Sequence, residues 1–182
     1  MATTTMNRRS AIKTCLIFTA GAALVPSCLQ ERSKSSLLLK NIDISSEQEK
    51  LMAELSETII PKTNTPGAKD VSAHLFALMM VDDCYKPEEQ KKFVSGLKDF
   101  DEITRKKFGK SFVECSPGQR HALVAEMEVN KDGTGNISAF YKITKSLTIH
   151  SFTSSQYYLT KVRVYEMVPG RFHGCVPVNN KA

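Results

Sequence analysis

The chain has 182 residues, 41% of them hydrophobic and 24% charged, the composition of an ordinary globular protein with one modest core rather than a disordered or fibrous one. Its formal charge of +6 overstates the field, because Arg8, Arg9 and Lys13 supply three of those charges from a segment that lacks any Asp or Glu. The remaining Lys and Arg are interleaved with acids, as in Glu88-Glu89-Gln90-Lys91-Lys92, which describes a solvated helix face and argues against a nucleic-acid partner.

Residues Met6 to Cys28 run from a basic start through a short apolar stretch, Thr14 to Val25, to small residues before a cysteine. That is the order of an export signal, too short to span a bilayer. Asn7-Arg8-Arg9-Ser10-Ala11-Ile12-Lys13 resembles the twin-arginine motif, with Ala11 where an aromatic is usual. Such export moves folded cargo, so a passenger could cross with a bound partner. Val25-Pro26-Ser27-Cys28 resembles a lipobox, which makes Cys28 the expected lipidation site; the alternative is an ordinary signal with an incidental cysteine. The expected organisation is a signal over 1–28, a polar tether over 29–45 and a helical domain over 46–182.

Helix signals dominate from there. Ser46 with Glu49 three residues on predicts a cap for a helix carrying Leu51, Leu55 and Ile59, stopped by Pro61. Asn64-Thr65-Pro66-Gly67-Ala68 is a turn, and Asp70 is the expected cap of a second helix with Val71, Leu75, Leu78 and Met79 on one face. Pro87 suits the first position of a third helix whose apolar residues are Phe93, Leu97, Phe100 and Ile103, with Gly109 ending it. Ser116-Pro117-Gly118-Gln119 opens a fourth, leading into Ala122, Leu123, Ala125 and Met127. Ile137 to Ile149 keeps helical spacing. Tyr157 to Val164 fits strand or short helix, and helix is preferred because no partner strand is evident. Val168 to Val178, with two Pro and two Gly, reads as extended and irregular. The fold class is therefore mainly α: a small single-domain helical bundle with an irregular extended C-terminal tail.

Sites of chemistry are sparse. There is no Gly-rich dinucleotide loop and no haem-attachment motif. His74, His121, His150 and His173 never stand four apart on one helix, as a metal pair would. Asn130-Lys131-Asp132-Gly133-Thr134-Gly135-Asn136-Ile137 mimics the first eight positions of a calcium loop, but Tyr141 occupies the position where a bidentate Glu closes the shell; a Gly-rich connection is the simpler reading. Adjacent Asp82 and Asp83 diverge on a helix and read as a helix end. Ser151, Ser154 and Ser155 lie near His150 in sequence, which says nothing about a triad. Beyond Cys15 and Cys28, the cysteines are Cys84, Cys115 and Cys175, without a CxxC pair. One disulfide plus a free thiol and three reduced thiols both fit. No nucleophile, metal ligand or cofactor site is assigned to this chain.

Two segments carry a resemblance. Glu57-Thr58-Ile59-Ile60-Pro61-Lys62-Thr63-Asn64-Thr65-Pro66-Gly67-Ala68-Lys69-Asp70 and Tyr165-Glu166-Met167-Val168-Pro169-Gly170-Arg171-Phe172-His173-Gly174-Cys175-Val176-Pro177 are similar to the gluconate 2-dehydrogenase subunit 3 family, with Leu147-Thr148-Ile149 and Ser154 fitting between them. His150-Ser151-Phe152 departs from the pattern, and many members lack a lipobox. The resemblance implies the small subunit of an exported, membrane-associated, flavin-dependent dehydrogenase of sugars or sugar acids. It implies FAD on the large subunit, often a cytochrome subunit with haem as electron acceptor, and catalysis outside this chain. It also implies that the small subunit carries the export signal for its partner, in the periplasm. On this reading Pro61, Thr63, Thr65, Pro66, Gly67 and Ala68 of the loop and Tyr165, Pro169, Gly170, Gly174 and Cys175 of the tail form the partner surface, since rigid turns present side chains at low entropy cost. The plainer alternative is that Pro61 and Pro66 only terminate helices. If a disulfide exists, the resemblance favours Cys84 with Cys175. A competing class of function is a free-standing lipoprotein that binds a small ligand or metal through the Asn130 to Asn136 loop.

Overall fold

The computed structural model describes residues 35–129 and 135–163, with Gly170 and Cys175 as isolated positions. Among the described residues five α-helices follow in order: α1 (Ser46–Ile59), α2 (Ala73–Cys84), α3 (Pro87–Phe108), α4 (Pro117–Val129) and α5 (Asn136–Thr153). A 3-10 turn at Phe112–Glu114 and a π-helical turn at Tyr158–Val162 complete the set, and no strand occurs among the described residues. The expected mainly α fold is observed, and the segment from Tyr157 that fits either state is helical as far as Val162.

The helix starts follow capping chemistry, with two corrections. Ser45 caps α1: its Oγ accepts the Gln48 N–H at 3.3 Å, and Gln48 Oε1 accepts the Ser45 N–H at 3.0 Å. The sequence offers Ser at both 45 and 46, and the expected pairing of Ser46 with Glu49 is one residue late. The second helix starts at Ala73 rather than after Asp70, behind Ser72 in the left-handed region at φ 54° and without a side-chain cap. Two other starts are as expected. Pro87 occupies the first turn of α3, and Ser116 and Gln119 exchange hydrogen bonds at the start of α4. Gly109 ends α3 at φ 71°, where a side chain would be strained.

The core is built around α3 and α5. A Cβ at Gly96 would lie 2.3 Å from Asn136 O and 2.6 Å from Phe140 Cβ, so only glycine lets these helices approach so closely. Phe140 then reaches Phe93, with ring centres 5.1 Å apart, and Phe100 at 5.8 Å, and Phe100 reaches Phe112 at 5.2 Å. After Phe93, Leu97 and Phe100, the buried face of α3 continues at Thr104 and not at Ile103, which is 37% exposed. Thr104 is tolerated because its Oγ1 donates to Phe100 O at 2.8 Å. α1 adds Leu51, Met52 and Leu55 to the core and joins α5 through the buried hydroxyl pair of Ser56 and Thr148, 3.2 Å apart. On α2, Leu78 is buried as expected while Met79 is 47% exposed.

Residues 35–45 do not behave as the polar tether expected there. Ile42 and Ile44 are buried, and Leu37 and Leu39 pack against the core. The segment is fixed at two points. Glu49 accepts Ser35 Oγ at 2.8 Å, Ser36 Oγ at 2.7 Å and the Ser36 N–H at 2.6 Å. Asp82 accepts the backbone N–H groups of Lys40, Asn41 and Ile42 at 2.9, 2.7 and 2.9 Å. Reading Asp82 as a mere helix end therefore misses its role. The carbonyl end of α2 is also served: Gln90 Nε2 donates to Val81 O at 3.0 Å and to Asp82 O at 2.8 Å, and Asn41 Nδ2 to Asp82 O at 2.8 Å.

Burial alone pushes the Asp82 carboxyl up, but the three N–H groups of residues 40–42, helped by the Lys40 charge, outweigh it and hold it below the ordinary carboxylate range. Because its folded pKa is depressed, its contribution is complete above about pH 4 and is lost as pH falls through the folded value. We expect Asp82→Asn to cost at least about 2 kcal/mol at pH 7 and to flatten the fall in stability on acidification. Urea melts between pH 7 and pH 3 check both, and an unchanged acid limb would contradict the assignment.

Candidate partner surface

The loop between α1 and α2 contains the expected surface residues Pro61, Thr63, Thr65, Pro66, Gly67 and Ala68. It owes its shape to carboxylates. Glu57, in the last turn of α1, accepts the Lys62 N–H on one oxygen and the Lys69 N–H on the other, both at 2.9 Å. Asp70, expected as a helix cap, instead accepts the Gly67 N–H at 2.9 Å and the Lys62 ammonium at 3.1 Å. Backbone bonds close the remainder: Ala68 N–H donates to Ile60 O, Ala73 N–H to Ala68 O and Thr63 N–H to Thr65 O. Hydrogen bonding by the Gly67 N–H, followed by the Lys62 ammonium, holds the Asp70 carboxyl below its usual range.

Glycine is required at position 67 by contact. A Cβ there would lie 2.4 and 2.6 Å from the Glu57 oxygens and 2.7 Å from Lys62 N. Gly67 and Ala68 are buried and Pro66 is half-buried, while Pro61, Lys62, Thr63, Asn64 and Thr65 are exposed. The two prolines do more than stop a helix, since they bracket a tip whose base is fixed to α1. A projecting element already held in one conformation loses little entropy when a neighbour covers it.

The support extends under the loop. Glu54, one turn before Glu57, pairs with Lys69 on the loop and with Arg120 on α4. Arg120 also donates to Phe112 O and Val113 O and lies over the Phe112 ring, 5.7 Å from its centre. Thus α1, α4, the 3-10 turn and the loop are tied through one guanidinium. Neither Glu54 nor Arg120 stands out in the sequence, because they are 66 positions apart and each looks like a surface charge. Glu57 carries a better signal, as an acid closing a helix just before a Pro and Gly turn full of free amides.

His74, in the first turn of α2, is half-buried, and its Nδ1 has no hydrogen-bond partner among the described residues. Burial, with the Lys69 charge, pulls its pKa below the ordinary value against the opposing pull of Glu49. No group of three metal-ligating side chains occurs among the described residues, and His173 lies outside them. Of the calcium-like loop, residues 130–134 lie outside the described residues. Tyr141, at its would-be closing position, is a core residue 2% exposed whose hydroxyl donates to Glu128. Burial and that hydrogen bond raise the Tyr141 pKa.

Of the tail residues, Gly170 and Cys175 are exposed, while Tyr165, Pro169 and Gly174 lie outside the described residues, as do Arg8, Arg9, Lys13 and Cys28. Cys84 and Cys175, the pair favoured if a disulfide exists, are both exposed free thiols in this structure, and Cys115 is a buried one, as the reading of three reduced thiols allows. Burial is the main cause that raises the Cys115 pKa.

Since Glu57 organises the loop, Glu57→Gln should leave the helices intact but speed amide exchange at Lys62 and Lys69 by about tenfold, the loss of one charge-assisted bond. Exchange rates read residue by residue by NMR test this, and unchanged rates at both amides would show the loop to be held by other means.

No curated protein and no solved structure matches the chain. A family profile described as gluconate 2-dehydrogenase subunit 3 matches residues 46–170, which spans α1 through α5 together with the buttressed loop. This protein is therefore a member of the gluconate 2-dehydrogenase subunit 3 family, whose name makes it one component of a larger dehydrogenase complex.

Proposed function

We propose that this chain is the non-catalytic small subunit of an exported, membrane-associated dehydrogenase of sugars or sugar acids, and that it folds with, escorts and stabilises a large flavoprotein subunit. The observation that carries this reading is the family match across the helical body. A loop with a fixed base and an exposed tip supports it, because that is what a docking element needs. FAD belongs on the large subunit, and haem on a cytochrome subunit where one is present. The chain's own part is to bind and position.

The sequence before the body supports the route. Arg8, Arg9 and Lys13 supply a twin-arginine signal, which carries folded cargo and so lets a bound partner cross with the subunit. Cys28 supplies a lipid anchor in the periplasm. The exposed residues of the loop, Pro61, Thr63 and Thr65, meet the large subunit, with Gly67 and Ala68 shaping the turn from beneath, and the tail residues Tyr165, Pro169, Gly170, Gly174 and Cys175 extend the same contact.

Affinity purification of the tagged full chain from membranes of its own organism should recover a large protein with the absorption of oxidised flavin. Recovery of the chain alone, under conditions that preserve other membrane complexes, would refute the reading.

A further inference from the structure

A helix that is apolar on every side belongs in a core, and α2 is such a helix covered on one side only. From Ala73 to Val81 it contains no Asp, Glu, Lys or Arg. Ala73, Ala77, Leu78 and Val81 are buried against the rest of the body. The opposite side is just as apolar: Leu75 and Phe76 are half-buried and Met79 is 47% exposed, at the three- and four-residue spacing that shares a face. The chain before α1 adds to this side. It is fixed at Ser36 by Glu49, whose charge also acts on His74 in the first turn of α2, and at Lys40 by Asp82 in the last turn. Eight residues of helix rise about 12 Å and four residues of chain reach about 13 Å, so residues 36–40 run alongside α2. Leu38, midway, is 100% exposed while Leu37 and Leu39 pack inward. Single apolar side chains on a surface mean little, but here Leu38, Leu75, Phe76 and Met79 gather at one helix, which marks a site of association.

We propose that this face of α2, with Leu38, seats an apolar ridge of the large dehydrogenase subunit that carries a basic side chain opposite Asp83. The proposal rests on reading this chain as the small subunit of that complex. Two observations choose the occupant. Family membership makes the chain one component of a larger complex, and the face begins where the buttressed loop ends, since the Ala73 N–H donates to Ala68 O. The far end of the face sets the charge of the partner: Asp83 is exposed and has no ion pair among the described residues. Asp83 and the exposed Glu88 beyond it repel an anionic lipid surface, which favours a protein. Met79 suits such a seat, because an unbranched thioether adapts its shape to what it meets.

The test exposes the full chain, alone and in the complex purified with its large subunit, to dilute hydrogen peroxide, with oxidation of each methionine read by peptide mass. Met79 should oxidise at least about tenfold more slowly in the complex than in the free chain, while Met52, at 0% exposure, should resist in both. Equal rates at Met79 overturn the proposal, and so does a Met79 already shielded in the free chain by a second copy, seen as a dimer by light scattering. In a second measurement Met79→Glu should cut recovery of the large subunit at least about tenfold. Ile149→Glu, at a position 41% exposed on α5, should leave recovery unchanged, with matching melting temperatures for the two variants. Equal recovery with both variants, high or low, overturns this proposal alone. A parent chain that recovers no large flavoprotein removes the small-subunit reading and this proposal with it.

Discussion

The buried carboxylate of Asp82 is the constraint on which the arrangement at the amino-terminal side depends. An ionised group at 3% exposure is costly to bury unless its charge is answered by donors. Here the donors are three successive backbone amides of residues 40–42, so the charge and the chain that crosses it each remove the other's desolvation cost. The same interaction fixes where Ile42 and Ile44 enter the core and therefore where the chain turns into α1 at Ser45. Gln90 on α3 completes it by bonding the carbonyl end of α2, which sets the entry of α3 and, through it, the close approach of α3 and α5 at Gly96.

Carboxylates on amides recur on the opposite end of α1, where they shape a surface rather than a core. Glu57 and Asp70 between them hold Lys62, Gly67 and Lys69, and Glu54 passes that order to Arg120 and the 3-10 turn. The loop is thus rigid for reasons local to it and supported by a helix that packs into the core. On the proposed reading, in which this loop meets a partner subunit, the division is an advantage, because a surface ordered in advance leaves little of the binding energy to be spent on ordering it.

Much of this was legible in the sequence, where short-range chemistry decides. Pro87, Gly109 and the Ser116 to Gln119 box mark helix ends because capping acts within four residues, and the spacing of Phe93, Leu97 and Phe100 marks the buried face. What failed to show depends on distant partners. Ser45 and Ser46 offer two capping registers, and the choice follows from Glu49 being engaged by Ser35 and Ser36. Asp70 looks like a helix cap until Gly67 claims it. Thr104 reads as polar until its hydroxyl finds Phe100 O. The polar appearance of residues 30–36 hid a clamp, since serines beside a carboxylate look the same in a free tether.

The proposed role of this family member is to hold a large dehydrogenase subunit through the surface at the loop. Its most direct test is a hydrogen–deuterium exchange difference map between the chain alone and the chain purified with its large subunit. The account predicts added protection over Lys62 to Asp70, with the amides of α3 and α5 unchanged. A stable complex whose protection falls elsewhere on the body and spares that loop would contradict it.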